Sequence, residues 1–491
     1  MKIKAKIKIF ISVTLILLAG SCTKDFVEMN TNPNSATVVP ATNVMGQAIL
    51  NACYTLFGER LDIYYAGTWS GHMASIGSGD YEYRVGINND QWKGMYTTMT
   101  YAVDAMRLAE AEGNNNLYAA ALTLKAYVAH KATDMWGKIP YSEAFQLEKG
   151  KLYPKYDTEQ EVYTQILAEL KTAADIFSIT GGKMGAGDFL FKGNLDKWKK
   201  FCNSTRLRVA IRMSSADEAG AKAVLADVLN NQAKYPVITS NDDNAYFWWP
   251  GVAPDQELWY RRMGADNGNK TDQYRTSHFL ISNLISLNDP RLPVYADKNK
   301  WGIYNGYKFG PTQTSDTLNN GNNVSHIGNR FGNNKAGFSP FMNAAEVYFI
   351  KAEAYQRNLI AGGDAKAAYD AGITISLQEN GIAAPAIAAY FAQGEVPFNG
   401  GTTTKLYKIY LQKWISLFKQ SVEAWAEARR TDVPLMDVIT KDYYARHNRP
   451  PFRMSYADEE KSLNTNFPTQ VVETDIFWGT QMWWDKRTGV R

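Results

Sequence analysis

Over residues 405–434, apolar or small residues return every three or four positions: Leu406, Ile409, Tyr410, Trp414, Leu417, Ser421, Trp425 and Ala428. That is the period of one helix face, and it predicts roughly seven helical turns with an aromatic-rich buried stripe. Lys405, Lys408, Lys419, Glu423, Glu427 and Arg430 fall largely off the stripe. Arg429 and Arg430 end the last turn, where cations suit the helix C-terminus, and Pro434 stops continuation.

The same period marks residues 41–57, 91–111, 117–135, 158–177 and 194–213. In the third of these, Leu117, Ala120, Ala121, Leu124, Tyr127, Val128 and Lys131 trace the face, and Gly137 and Pro140 terminate it. Thr158 with Glu161 three residues on is a capping box. Helices arriving in pairs with short turns predict a mostly α fold built on stacked helical hairpins. Residues 240–403 break the pattern, apart from helical returns at 344–357 and 364–377. The Asn241-Asp242-Asp243-Asn244 run and the Gly/Asn-rich stretch 302–334 are loop compositions. Long irregular segments on a helical scaffold are where a ligand site is expected, around residues 60–90 and 240–340.

Lys2, Lys4, Lys6 and Lys8 precede an apolar run over 9–19, too short to span a bilayer comfortably and expected to be a signal peptide over 1–21. It ends Leu18-Ala19-Gly20-Ser21-Cys22, which resembles a bacterial lipobox, so Cys22 is the expected lipidation site, with a lipidated tether over 22–40. Removing 1–21 takes four lysines and no acids. The 53 Lys+Arg then fall to 49 against 49 Asp+Glu, too few cations for a nucleic-acid binder. Cys53 and Cys202 are the remaining cysteines, so stability must come from a large core and not from a disulfide framework.

Hydrolase chemistry finds little support. There is no His-Glu-x-x-His, and the five histidines lie far apart. Gly67-Thr68-Trp69-Ser70-Gly71 has the wrong spacing for a nucleophile elbow. Asp80 and Glu82 are a carboxylate pair of the type a glycosidase uses, which keeps a surface glycoside hydrolase as the rival reading. The Asn241–Asn244 run lacks the ordered spacing of a calcium loop and reads as a turn. No cofactor and no metal is expected.

Gln412-Lys413-Trp414-Ile415, Glu423-Ala424-Trp425 and Arg429-Arg430-Thr431 with Pro434 resemble the C-terminal signature of the SusD/RagB family, nutrient-binding lipoproteins of the Gram-negative outer membrane. The family usually carries a glycine within this segment. Here Lys419-Gln420-Ser421 stands instead, which leaves one helix and two kinked helices equally open. Trp136-Gly137-Lys138-Ile139-Pro140-Tyr141, Asn288-Asp289-Pro290-Arg291-Leu292 and Arg453-Met454-Ser455-Tyr456 are further family-like landmarks. The resemblance implies four tetratricopeptide-like helix pairs in a single domain over 41–491, and binding without catalysis. It also implies a partner, a TonB-dependent outer-membrane transporter over which the protein sits as a lid. Lys24-Asp25 behind the cysteine resembles the family's surface-export signal and implies an outward-facing address.

Aromatic residues make up 13% of the chain. Trp198, Trp414 and Trp425 lie on helical faces and belong to the core. Others, including the run Tyr246 to Trp249, sit in polar loops interleaved with Asn and Asp. Sugar rings stack their C–H faces on flat aromatics while their hydroxyls bond to Asn, Asp, Arg and Gln. The expected ligand is therefore a glycan, or alternatively a peptide. Loop context and the family's habit of placing aromatics in early and middle loops select Trp69, Tyr83, Trp259, Tyr260 and Trp301 as candidate contacts.

Overall fold

The computed structural model describes residues 39–491, apart from 76–80, 82–83, 265–272, 309–318, 322, 438–443, 445 and 469–477. By its internal contacts, Ala41–Arg491 forms one compact unit.

The chain opens with α1 (Ala41–Phe57), a π-helical turn at Glu59–Tyr65, α2 (Ala66–Trp69) and the short strand β1 (Met73–Ser75). Four long helices follow: α3 (Val85–Ala111), α4 (Asn115–Trp136), α5 (Glu159–Ile176) and α6 (Leu195–Met213), then α7 (Glu218–Leu229). Each packs on its neighbour, α1 on α3, α3 on α4, α4 on α5, α5 on α6 and α6 on α7. The capping box expected at Thr158 is present, and a second helix is also capped. Thr158 accepts from the Glu161 backbone while the Glu161 side chain accepts from the Thr158 N–H, and Asn194 caps α6 through the N–H of Lys197.

Helix α4 is more deeply placed than its one-faced pattern predicts. Twenty-two residues long, it is buried on every side except near its start, because α3, α5, α6 and a C-terminal helix surround it.

The middle tract is less irregular than its composition suggests. It contains β2 (Ala245–Trp248), α8 (Leu258–Met263), β3 (Tyr274–Thr276), α9 (His278–Ser286), α10 (Leu292–Tyr295), α11 (Asn329–Gly332) and β4 (Phe338–Met342). The segment 60–90, expected as loop, likewise carries helical turns and β1. Strands β1 and β3 pair antiparallel, Met73 opposite Thr276, and so do β2 and β4, Trp248 opposite Phe338. Helices α12 (Ala344–Gln356), α13 (Ala365–Glu379) and α14 (Ala384–Phe391) lead to the C-terminal block. Asn241–Asp243 is a 3-10 turn in which Asp243 accepts from Ser240 and pairs with Lys200 at 3.0 Å. Cys53 and Cys202 are free and buried.

The C-terminal stretch is two helices: α15 (Thr402–Ser416) and α16 (Ser421–Thr431), with a short α17 (Asp458–Leu463) beyond. The break falls at Leu417–Gln420, where Lys419 takes φ +71°, a left-handed conformation that costs a non-glycine residue about 1–2 kcal/mol. Its side chain offsets this. Lys419 Nζ pairs with the fully buried Glu257 at 2.9 Å and lies 4.9 Å from the centre of the Phe338 ring. This is why a lysine can stand in a bend that otherwise suits glycine.

Of the charges off the apolar stripe, Lys408, Lys419, Glu423, Glu427 and Arg430 are also buried. Glu423 pairs with Arg212 and Lys131, and Glu427 with Arg212, Lys413 and Arg430. Arg430 holds Glu353 of α12 through two bonds of 2.6 Å, and Arg208 holds Glu346 at 2.5 and 2.7 Å. Burial works to raise the carboxyl of Glu423, but Arg212, Lys131 and Arg208 outweigh it and hold Glu423 ionised far below the usual carboxylate range. The network ties α4, α6, α12, α15 and α16 together at fixed positions.

Candidate functional site

Three of the expected contacts lie where no ligand reaches. Trp69 is fully buried, stacked on Tyr65 at 4.7 Å and edge-on to Trp425 at 4.8 Å. Trp259 is fully buried, and its Nε1 donates to Asp62 at 3.0 Å. Asp62 is itself interior; burial pushes it up to about 7 against bonds from Ser421 and Trp259. Tyr260 is buried in the first turn of α8, its N–H bonded to Glu257. All three sit in polar sequence but are turned inward, Trp259 and Tyr260 onto Asp62 and Glu257 and Trp69 onto the rings of Tyr65 and Trp425. Tyr83, like Asp80 and Glu82, falls outside the described residues.

Trp301 is different: 49% of it is exposed. It rides a tight turn built by Asn299, whose Oδ1 accepts from the N–H groups of Trp301 at 3.0 Å and Ile303 at 3.2 Å. The Asn299 carbonyl accepts from the Gly302 N–H and its own N–H donates to the Ile303 carbonyl, both at 2.9 Å, and Gly302 supplies φ +77°. The asparagines that made this region read as loop are its internal staples. Asn299 Nδ2 donates to the Asn323 carbonyl at 2.7 Å, Asn305 Nδ2 to the same carbonyl at 3.1 Å, and Asn319 brackets the backbone of Lys308. The turn is thus fixed before any ligand arrives.

Three residues before Trp301, Lys298 lines a cleft of about 240 Å³ together with Asp297, His326, Asn329 and Tyr274. The Ala296–Ile327 bridge and the Asp297 N–H bond to the His326 carbonyl tie two of the wall's segments together. Tyr274 is held by its hydroxyl bond to Glu59 at 3.2 Å, and burial pushes its phenol up to about 12. Burial and then the charge of Asp297 raise the Tyr304 phenol, over whose ring Lys298 sits at 5.7 Å. Trp301 is not in the wall of this cleft; it follows Lys298, which is, by three residues, and its ring has the Lys300 ammonium 4.8 Å from its centre. The cleft's volume is below the roughly 300–1,000 Å³ of pockets that engulf a ligand, which suits one unit of an extended molecule lying across the surface.

Sequence reasoning passed over a second exposed indole. Trp248 ends β2 with 55% of its surface open. It sat in the aromatic run already noted, but nothing in that run says which of four consecutive aromatics faces out. Among the described residues, no group of three or more His, Cys, Asp or Glu side chains is placed to hold a metal ion, and no helix is long and apolar enough to cross a membrane.

The chain is similar to several solved structures. A SusD homolog from Bacteroides uniformis aligns with a TM-score of 0.79 at 24% identity, over 90% of this chain and 99% of that one. A SusD homolog from Bacteroides fragilis gives 0.79 at 22%, over 91% and 100%. A chitin-binding SusD homolog from Flavobacterium johnsoniae gives 0.75 at 26%, over 91% and 97%. No curated protein matches. The family SusD-like_2, described as "Starch-binding associating with outer membrane", matches residues 33–457. With nearly the whole compact unit inside that match and the helical scaffold shared, the chain belongs to the SusD-like family of outer-membrane-associated binding proteins.

Proposed function

We propose that this protein is a lipid-anchored, cell-surface receptor that binds a nutrient glycan and passes it, unbroken, to a TonB-dependent transporter. The observation that carries the binding reading is Trp301, a half-exposed indole held on a turn that Asn299 staples from within. A flat apolar face with the Lys300 ammonium 4.8 Å from its centre offers both the stacking surface and a polar group that a sugar ring uses. The family's starch-binding description and the chitin-binding relative support a glycan over a peptide. Cys22 behind its apolar leader supports the lipid anchor, and multiple acyl chains on one cysteine would hold where a single chain would not.

Titration of the detergent-purified full chain with chitohexaose and maltohexaose tests the ligand class. Saturable binding of at least one, with no shorter products released, is expected; cleavage products would favour the hydrolase, and binding only to peptides would overturn the glycan reading. Co-purification of a barrel transporter with the chain, and loss of membrane retention in Cys22→Ala, test the partner and the anchor. A chain that stays membrane-bound without Cys22 would contradict the latter.

A further inference from the structure

We propose a second, separate carbohydrate contact at Trp248, on the β2–β4 ribbon; it rests on the glycan-binding reading above. Along β2 side chains alternate: Tyr246 and Trp248 point one way, Phe247 and Trp249 the other. Tyr246 is buried, stacked on Phe338 at 4.5 Å with its hydroxyl donated to Glu379 at 2.7 Å. Trp248, opposite Phe338 in the register, leans on the same ring at 5.1 Å but keeps its outer face open. The backbone after it is locked. Trp249 donates its N–H to the Gly337 carbonyl and its Nε1 to Ser339, both at 2.9 Å. Gly251, at φ +78°, passes so close to Ala336 that a Cβ would meet it at 2.8 Å. An indole held this way loses little freedom when a ligand covers it.

The two sides of Trp248 differ. On one lies a cleft of about 770 Å³ with Phe189, Trp249 and Pro250 in its wall. On the other lies a cleft of about 500 Å³ lined by Asp242, Arg330, Gln378 and Glu379. Trp248 and Lys192 border both, so the clefts share one ridge. On the polar side Arg330 pairs with Glu379 at 3.5 Å, while Asp242 and Gln378 present exposed polar ends. An aromatic ridge between an aromatic-walled hollow and a set of amide, carboxylate and guanidinium groups fits consecutive rings of an oligosaccharide. Both clefts fall within the size range of ligand sites. An uncharged or weakly charged glycan fits better than a polyanion, because Asp242 and Glu379 stand beside Arg330 and Lys192.

The test counts sites. Calorimetric titration of the full chain with chitotriose and maltotriose should give two sites per chain for one of these sugars. Trp248→Ala should remove one and leave the Trp301 site intact, Trp301→Ala should remove the other, and Trp248→Phe should keep both with Trp248-site affinity lowered several-fold. Gln378→Ala, an exposed change that leaves the fold alone, should weaken only the Trp248 site, by about tenfold if its bond is worth about 1.4 kcal/mol. A single site that Trp301→Ala abolishes and Trp248→Ala leaves unchanged would overturn this proposal while the receptor reading stands. No binding of either sugar by the unaltered chain would overturn both.

Discussion

Helices α15 and α16 and the turn around Trp301 hold the same residue types, tryptophan beside lysine and asparagine or arginine, and use them in opposite ways. In the helical block Trp414 and Trp425 are fully buried, Arg429 stacks 3.6 Å above the Trp425 ring, and Lys413, Glu423, Glu427 and Arg430 are buried and paired. In the turn, Lys300 lies 4.8 Å over Trp301, both in contact with water, and Asn299 supplies the interior hydrogen bonds. The difference lies in what the surrounding chain supplies. Where counter-charges arrive from other helices, burying ions is tolerable and fixes the scaffold; where a turn has mainly its own amides to offer, the aromatic stays at the surface.

Breaking the interior side should cost most. Glu423→Ala leaves Arg212 and Lys131 buried without their shared carboxylate, and a loss of about 5 kcal/mol in chemical denaturation is expected. Acid should do the same reversibly. Glu423 and Glu427 are held below their usual range, so the unfolded chain binds more protons as pH falls below about 4.5. The stability they give is complete above that pH and drains away beneath it. Asp62, raised to about 7, works the other way, binding its proton in the native state between pH 4 and 7 and making stability fall as pH rises there. Melting curves at pH 7, 5.5 and 3.5 should show the sharp loss only in the last.

Trp69→Ala comes next. It empties a space between Tyr65 and Trp425 and should cost about 3–5 kcal/mol with the fold otherwise kept. A neutral effect would return Trp69 to the surface. Lys419→Gly relieves a left-handed backbone worth about 1–2 kcal/mol but strands the buried Glu257. We expect a net loss of about 2–3 kcal/mol; a gain in stability would mean that the ion pair contributes nothing. Thr158→Ala, which removes one exposed cap, should cost only about 1 kcal/mol.

Much of the scaffold was legible because its signals are local. The capping box at Thr158 and Glu161 and the limits of α1 needed no knowledge of the rest of the chain. The kink at Lys419 is not legible in its own stretch because its partner, Glu257, lies more than 160 residues away. A still longer separation, 197 residues, lies between Trp259 and its partner Asp62. Loop polarity marked Trp69, Trp259, Tyr260 and Trp301 alike; burial separates them, and burial is set by tertiary contacts no single stretch encodes. The strand alternation that exposes Trp248 and hides Tyr246 depends on pairing with β4, also invisible in the run itself.

The most direct measurement is a paired one on Trp301→Ala: the melting temperature and the affinity for chitohexaose and maltohexaose, against the unaltered chain. The account predicts a melting temperature within about 1–2 °C of the original, as for surface substitutions generally, with affinity for the bound sugar at the Trp301 site lowered at least about tenfold. Unchanged affinity, or a loss of several degrees, would contradict it.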